Sequence, residues 1–430
     1  MGGSSDPHQC GVTATPILVA IVAGALIGRL IGPTGAVAGI DVIPLLDFFG
    51  TLFINMLKMV VVPLISASII TGVASLGSGR DLGRLGIKTL AFYVITTLLA
   101  VLTALTLVNL VRPGIVNAEP AKALLALEAQ ASSVNTAVSQ RASTGVLDTL
   151  LSAVPVNIIE AAADSKLLGV MFSSVLFGFF LARVEMPYRQ TMLDFWQGLF
   201  HVMMRITQLV MRLAPMGVLG LTARVISKSG VQAAGPILEF GACVAVGIVV
   251  YVVVVIPLLM RLMGVVHPYR LFSAMSPALL TAFSTASSAA TLPLSLECLA
   301  ERANVSKRIA SFVMPLGTSI NHVGSALYEC AGAMFLCQAY GLQLTIGAQF
   351  TVVTLALITS IGTAGIPAAS LVAIALILNA VGLPSEGIGV LLALDRILDM
   401  ARSSLNVFAD AACSVIIARL EGEKDVLSNV

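Results

Sequence analysis

Asp-Arg-Ile-Leu-Asp-Met-Ala-Arg-Ser-Ser-Leu-Asn-Val-Phe-Ala-Asp, residues 395–410, sets three carboxylates and two arginines in a chain that is otherwise overwhelmingly apolar. Charges are costly in a lipid-soluble segment, and those that occur there mark a substrate or ion path. Asp395, Asp399, Arg402, Asn406 and Asp410 fall at i, i+4, i+7, i+11 and i+15. At 100° per residue they cover roughly 80° of one helix face. A helix with one such stripe turns it toward protein or water. Arg396 points roughly 100° away from Asp395 and reads as an interface anchor.

The rest of the chain supplies the membrane context. A soluble protein carries about 25% charged residues; here 11% are charged and 57% hydrophobic, with a mean hydropathy of +0.99. The composition reads as an all-α polytopic membrane protein. Runs long enough to cross a bilayer lie near 14–32, 44–77, 86–111, 167–186, 193–226, 235–264, 308–338 and 385–420. Lysines and arginines crowd one set of loops: Arg80, Arg84, Lys88, Arg183, Arg189, Arg261, Arg270, Arg302, Lys307, Arg308, Arg419 and Lys424. The other set holds Arg112, Lys122, Arg141, Lys166, Arg224 and Lys228. By the positive-inside rule the first set, and with it both termini, is cytoplasmic. Residues 1–13 read as a flexible N-terminus. The six cysteines show no close-spaced metal pattern and read as small buried hydrophobes. No basic patch with interleaved aromatics points to nucleic acid.

Two apolar segments do not read as plain spanning helices. One, about 268–299, contains Ala-Phe-Ser-Thr-Ala-Ser-Ser-Ala-Ala-Thr-Leu-Pro; the other, about 346–383, contains Thr-Ser-Ile-Gly-Thr-Ala-Gly-Ile-Pro-Ala-Ala-Ser. Each is broken by small hydroxyl residues and then a proline, Pro293 or Pro367. A mid-membrane break is tolerated only where the freed backbone is buried in protein or lines a cavity. A repeated pair of interrupted segments points to a transporter site between inverted repeats. The alternative is a kinked helix whose small residues pack on neighbours. Between them, the segment 308–338 contains Pro-Leu-Gly-Thr-Ser-Ile-Asn-His-Val-Gly-Ser-Ala-Leu-Tyr-Glu. Its glycines and hydroxyls suit an unwound stretch whose carbonyls hold a hard cation.

The two broken segments, this helix and the 395–410 stripe together resemble the glutamate and neutral amino acid transporter family, the dicarboxylate/amino acid:cation symporters. The likeness extends over most of the chain and is densest from Pro277 to Asp410. It implies eight transmembrane helices, two re-entrant helical hairpins, inverted repeats and a homotrimer embedded in the lipid of the inner (plasma) membrane. It also implies an elevator: scaffold helices one and two at 14–85, helix three of the transport domain at 86–112, and scaffold helices four and five with a long loop at 113–230. The transport core of helix six, both hairpins, helix seven and helix eight would occupy 231–420, and 421–430 form a tail.

Carried over by position, Arg402 would hold the substrate's side-chain carboxylate, since a guanidinium fork engages a carboxylate bidentately. Asp399 would take the α-amino group. Asn406, Ser403 and Ser325 would support the rest, while Ser287, Ser288 and Ile366 at the hairpin tips would close over the ligand. The resemblance thus implies aspartate or glutamate; neutral-substrate members lack this arginine and dicarboxylate carriers lack this aspartate. The competing reading of Arg402 is a structural ion pair with Asp399.

For the coupling ions, Gly317, Asn321, Asn406 and Asp410 match the first sodium site of the family. Ser319, Ser360, Ile361 and Thr363 match the second, and Tyr93, Thr96 and Thr97 part of the third. The third also needs an aspartate where this chain has Val323: the family's Asn-Met-Asp-Gly-Thr has become Asn-His-Val-Gly-Ser. That site is expected to be absent. His322 stands where a methionine is usual, and an imidazole titrates between about pH 5 and 8. Glu329 adds a second titratable group seven residues on. The expectation is a symporter of acidic amino acids in which protons, through Glu329 and His322, replace some or all of the sodium, with no further cofactor. Two alternatives stay open here: sodium coupling with fewer sites, and a buried, permanently neutral His322 and Glu329. An enzyme is not expected. The Ser284–Ser288 cluster would suit an intramembrane hydrolase, but no lysine or histidine lies nearby as its base.

Overall fold

The computed structural model describes residues 14–32, 36–37, 40–74, 80–122, 124–125, 127, 154–163, 167–229, 234–342, 344–362 and 369–428. Helices dominate. In chain order they are α1 (Ala14–Ile31), α2 (Ile43–Ala74), α3 (Arg80–Val111), α4 (Ile158–Ala163), α5 (Leu167–Leu181), α6 (Tyr188–Ser229), α7 (Ala234–Val250) and α8 (Ile256–Leu262). There follow α9 (Arg270–Thr285), α10 (Ser288–Glu297), α11 (Lys307–Ile320), α12 (Val323–Ala339), α13 (Ile346–Gly362), α14 (Ala369–Ala380) and α15 (Leu392–Leu420). Two antiparallel ladders of two residues per strand pair Ala36–Val37 with Ile40–Asp41 and Ile115–Val116 with Glu119–Pro120. Asn117 and Ala118 both have positive φ, the backbone that a two-residue hairpin requires.

Three stretches among the described residues are helical, long and apolar enough to cross a membrane: Leu85–Val111, Ala234–Leu262 and Leu394–Leu420. Large apolar side chains also face outward, among them Val19, Val22, Leu26 and Leu30 on α1 and Leu238, Val246 and Val249 on α7. A soluble monomer rarely exposes such continuous apolar area; a protein surrounded by lipid does.

The helices pack in two groups. In one, α1 and α2 pack on the long α6, and α5 packs on α2. Gly24 and Gly28 of α1 make the close approach. A Cβ at Gly28 would stand 2.5 Å from the Ala223 carbonyl of α6, and one at Gly24 would stand 2.8 Å from that of Leu219. Small residues four apart let two membrane helices meet at backbone distance. In the other group α12 is the hub, packed on α3, α7, α13, α14 and α15. Every residue of α12 but Ser325 is buried, as expected for a helix that is apolar all round.

The broken segments break where side chains can cap them. Segment 268–299 is a helical hairpin, α9 and α10, and its break is at Ala286–Ser287, ahead of Pro293. Ala286 is left-handed (φ 50°, ψ 39°). Ser287 is extended, and its Oγ accepts the Ala290 N–H at 3.2 Å, an N-cap for α10. Pro277, inside α9, has no N–H for the Ser273 carbonyl; the Ser276 hydroxyl donates to that carbonyl at 3.0 Å. Likewise Pro257 leaves the Val253 carbonyl to the Tyr269 hydroxyl, 3.2 Å away, beside a widened turn at Tyr251–Val255. The second broken segment is α13 and α14, packed side by side; its connection, with Pro367, lies outside the described residues. The span expected over 308–338 is two helices, α11 and α12, interrupted at Asn321 (φ −112°, ψ 76°) and His322 (φ −98°, ψ 65°).

The chain end closes the base of the first hairpin. Lys88 of α3 pairs with Glu421 at 2.5 Å. The Ser306 N–H donates to Glu423 at 3.1 Å, the Asn304 amide to the Asp425 carbonyl at 3.0 Å, and the Leu427 N–H to the Ala303 carbonyl at 2.8 Å.

Candidate functional site

Arg402 is the focus of the polar stripe. It sits on α15 and is 1% exposed. Its Nη2 donates to Asp395 Oδ1 and to Asp399 Oδ1, both at 3.0 Å. The guanidinium carbon lies 4.0 Å from the centroid of the Tyr328 ring on α12, a cation–π contact. Nε and Nη1 are buried without a hydrogen-bond partner. Two idle nitrogens of a buried guanidinium can donate to a carboxylate. Gly324 permits the approach of α12, because a Cβ there would stand 2.7 Å from the Arg402 carbonyl. Asn406 secures the same crossing, accepting the Gly324 N–H on its Oδ1 at 2.8 Å.

Around Arg402 the other substrate candidates take different places. Asp399 is partly buried, and Ser403, on the turn after Arg402, is buried. Ser325 opens α12 and is half-buried. Ser287 and the buried Ser288 form the tip of the α9–α10 hairpin, and α10 packs on α15. Ile366, Thr363 and the side chain of Ile361 lie outside the described residues. The structural pair of Arg402 and Asp399 that competed with a substrate role is formed here, and the same arginine keeps two donors spare.

A second polar centre lies where α11 is interrupted. The Asn321 amide donates to Asp410 Oδ1 at 2.8 Å, and the Thr97 hydroxyl donates to Asn321 Oδ1 at 3.2 Å. Asp410 is fully buried, and its Oδ2 has no hydrogen-bond partner. A buried carboxylate oxygen is the kind of hard ligand that a cation such as sodium takes. Gly317 lies against that carboxylate; a Cβ at this position would collide with it. Tyr93 and Thr96 are adjacent on α3 but engaged: the Tyr93 hydroxyl donates to the Val313 carbonyl at 2.6 Å, and the Thr96 hydroxyl to Phe92 at 2.8 Å. Val323, two residues after Asn321, is fully buried and offers no ligand. Ser319 and Ser360 return their hydroxyls to their own helices, to Pro315 at 3.0 Å and Leu357 at 2.9 Å.

The contact of Gly317 with Asp410 gives a direct test. Gly317→Ala should destabilise the purified protein by roughly 1–3 kcal/mol through overpacking, read by thermal unfolding in detergent. Gly72→Ala, whose added Cβ would meet only Ile320 at 3.5 Å, should be neutral. Equal melting of the two variants would show that Gly317 is not held against Asp410.

The proton-carrier candidates are both buried. His322 sits in the interruption, 4% exposed, and Glu329 is fully buried on α12. The Thr359 hydroxyl of α13 lies 2.6 Å from Glu329 Oε2 and 2.8 Å from the Leu355 carbonyl. A threonine hydroxyl has one hydrogen for these two acceptors.

The sequence profile described as the sodium:dicarboxylate symporter family matches residues 14–420. The chain belongs to this family. It is a transporter, not an enzyme. This symporter is 34% identical over 412 residues to the "Proton/glutamate-aspartate symporter" of Escherichia coli K12, covering 96% of this chain and 93% of that protein. It is 32% identical over 416 residues to the "Proton/sodium-glutamate symport protein" of Bacillus subtilis 168, covering 95% and 92%. It is also 33% identical over 411 residues to a "C4-dicarboxylate transport protein" of Anaeromyxobacter sp. strain K, covering 95% and 90%.

Four further residues contact these candidates in the structure. Asp395, given no role, bonds Arg402; its position on the shared stripe was the available signal. Arg396, read as an interface anchor, has its Nη1 3.7 Å from Asp399 Oδ2. Tyr328 and Thr359 had no signal at all, because their roles depend on which helices face α15 and α12.

Proposed function

We propose that this symporter carries aspartate or glutamate across the plasma membrane, driven mainly by protons, with sodium coupling reduced. The observation that carries the substrate reading is Arg402 with two idle buried nitrogens, Nε and Nη1, next to the Asp399 carboxylate. One supplies a fork for the side-chain acid and the other a partner for the amine. Identity does not separate relatives named for glutamate from those named for C4-dicarboxylates. Asp399 favours the amino acid, since its carboxylate can take an α-amino group that a dicarboxylate lacks.

Val323 and Glu329 support proton coupling: one carboxylate ligand is replaced by valine, and a buried acid shares a single hydroxyl hydrogen. The second reading is sodium coupling through fewer sites, favoured by the Gly317–Asn321–Asp410 centre with its idle carboxylate oxygen. The same proposal takes the protein as a homotrimer of eight transmembrane helices and two re-entrant hairpins, with both termini cytoplasmic. The group built from α1, α2, α5 and α6 is the static scaffold, and the group around α12 is the moving elevator; the division in packing supports this.

Proteoliposomes test both parts. L-Aspartate uptake should saturate, should proceed under an inside-alkaline pH gradient without sodium, and should be poorly inhibited by succinate. Succinate transport as fast as that of aspartate would remove the role of Asp399. Full uptake under a sodium gradient at zero pH gradient, with none under the reverse, would remove the proton.

A further inference from the structure

We infer that Arg396 is a specificity-determining residue: it brings the fixed charge around the substrate position to zero and thereby admits a substrate of net charge −1. The inference rests on the proposed transport of acidic amino acids. Arg396 and Arg402 hold opposite oxygens of one carboxylate. Arg396 Nη1 lies 3.7 Å from Asp399 Oδ2, and Arg402 Nη2 lies 3.0 Å from Asp399 Oδ1 and 3.0 Å from Asp395 Oδ1. The side chains of Asp395, Asp399, Arg396 and Arg402 are only 10%, 19%, 14% and 2% exposed. Water and salt screen charges so placed much less than surface charges. On the helix surface, residues three apart are neighbours, so the long arginine stem reaches Asp399 although its Cα faces away from the stripe.

Charge counting then decides the substrate class. Two aspartates against Arg402 alone would leave the pocket at −1, repelling an acidic amino acid, whose two carboxylates and one ammonium also sum to −1. With Arg396 the four side chains sum to zero, and the anion enters without that repulsion. Arg396 needs no contact with the substrate; it is a positioning and charge-balancing residue that keeps the outer oxygen of Asp399 occupied. A unit charge about 10 Å away, at an effective dielectric near 20, is worth roughly tenfold or more in affinity.

The test compares Arg396→Met and Arg396→Lys with the wild type in proteoliposomes. L-Aspartate kinetics are measured together with inhibition by L-asparagine, which has the same shape and no net charge. Arg396→Met should raise the KM for L-aspartate by about tenfold with kcat little changed. It should leave inhibition by L-asparagine as strong or make it stronger, and Arg396→Lys should keep the wild-type KM. A parallel loss for both ligands, an unchanged aspartate KM, or equal losses in the lysine and methionine variants would overturn the inference. Should the methionine variant fail to fold, Arg396→Gln is read by the same ratio of aspartate to asparagine affinity. A wild type that takes up no L-aspartate overturns the substrate proposal itself, an outcome distinct from the selectivity result.

Discussion

Arg402→Gln should cut L-aspartate uptake by roughly a hundredfold or more. The guanidinium bridges Asp395 and Asp399, stacks on Tyr328, and holds two further nitrogens without partners. Removing one member of a buried charge pair costs about 3–5 kcal/mol, because the remaining charge is left uncompensated. Here two carboxylates lose their shared partner and the substrate loses its fork. Arg402→Lys retains the charge but presents a point ammonium in place of a planar fork, so its loss should be smaller. Size-exclusion profiles of both variants separate misfolding from lost binding. Near-normal aspartate uptake by well-folded Arg402→Gln protein would exclude Arg402 from the substrate site.

Glu329→Gln should abolish uptake driven by a pH gradient, to the level of empty liposomes, while exchange of internal for external aspartate continues. Helical threonines commonly return their hydroxyl to the carbonyl one turn back, and Thr359 is 2.8 Å from Leu355. If its hydrogen goes there, Glu329 must bring its own to make the 2.6 Å contact. A proton on Glu329 then supplies this contact and removes a charge from a fully buried position. Glutamine reproduces the neutral form and cannot release the proton, so the loaded carrier moves but cannot complete a proton-driven cycle. Intact pH-driven uptake by Glu329→Gln would take the coupled proton away from Glu329 and leave His322 as the candidate carrier. Loss of exchange as well as uptake would mark Glu329 as structural.

How far each of these residues was legible depended on how local its signal is. The 395–410 stripe shows its face at once, since helical periodicity alone places Asp399, Arg402, Asn406 and Asp410 together. The unwinding of segment 308–338 was legible as a run of glycines and hydroxyls, although its exact place, Asn321–His322, was not. In segment 268–299 the proline was the conspicuous breaker, yet the chain turns at Ala286 and Ser287, where a serine caps the next helix. Pro293 itself lies inside α10. The approach of Arg396 to Asp399 was not legible, because a helical wheel tracks Cα directions while a long flexible side chain answers to charge.

The sequence by itself determined that this chain lies in a membrane, that one helix carries a charged stripe, and which family's motifs surround it. These follow from composition and from spacing along one chain segment, which need no partner. Only the tertiary structure decided that Asp395 shares Arg402, that Tyr328 lies under the guanidinium, that Thr359 meets Glu329, and that Asp410 retains an idle oxygen beside Gly317. Each joins residues on different helices or different turns. Buried charges and hydrogen-bond donors find their partners through packing, and packing is set by the whole fold.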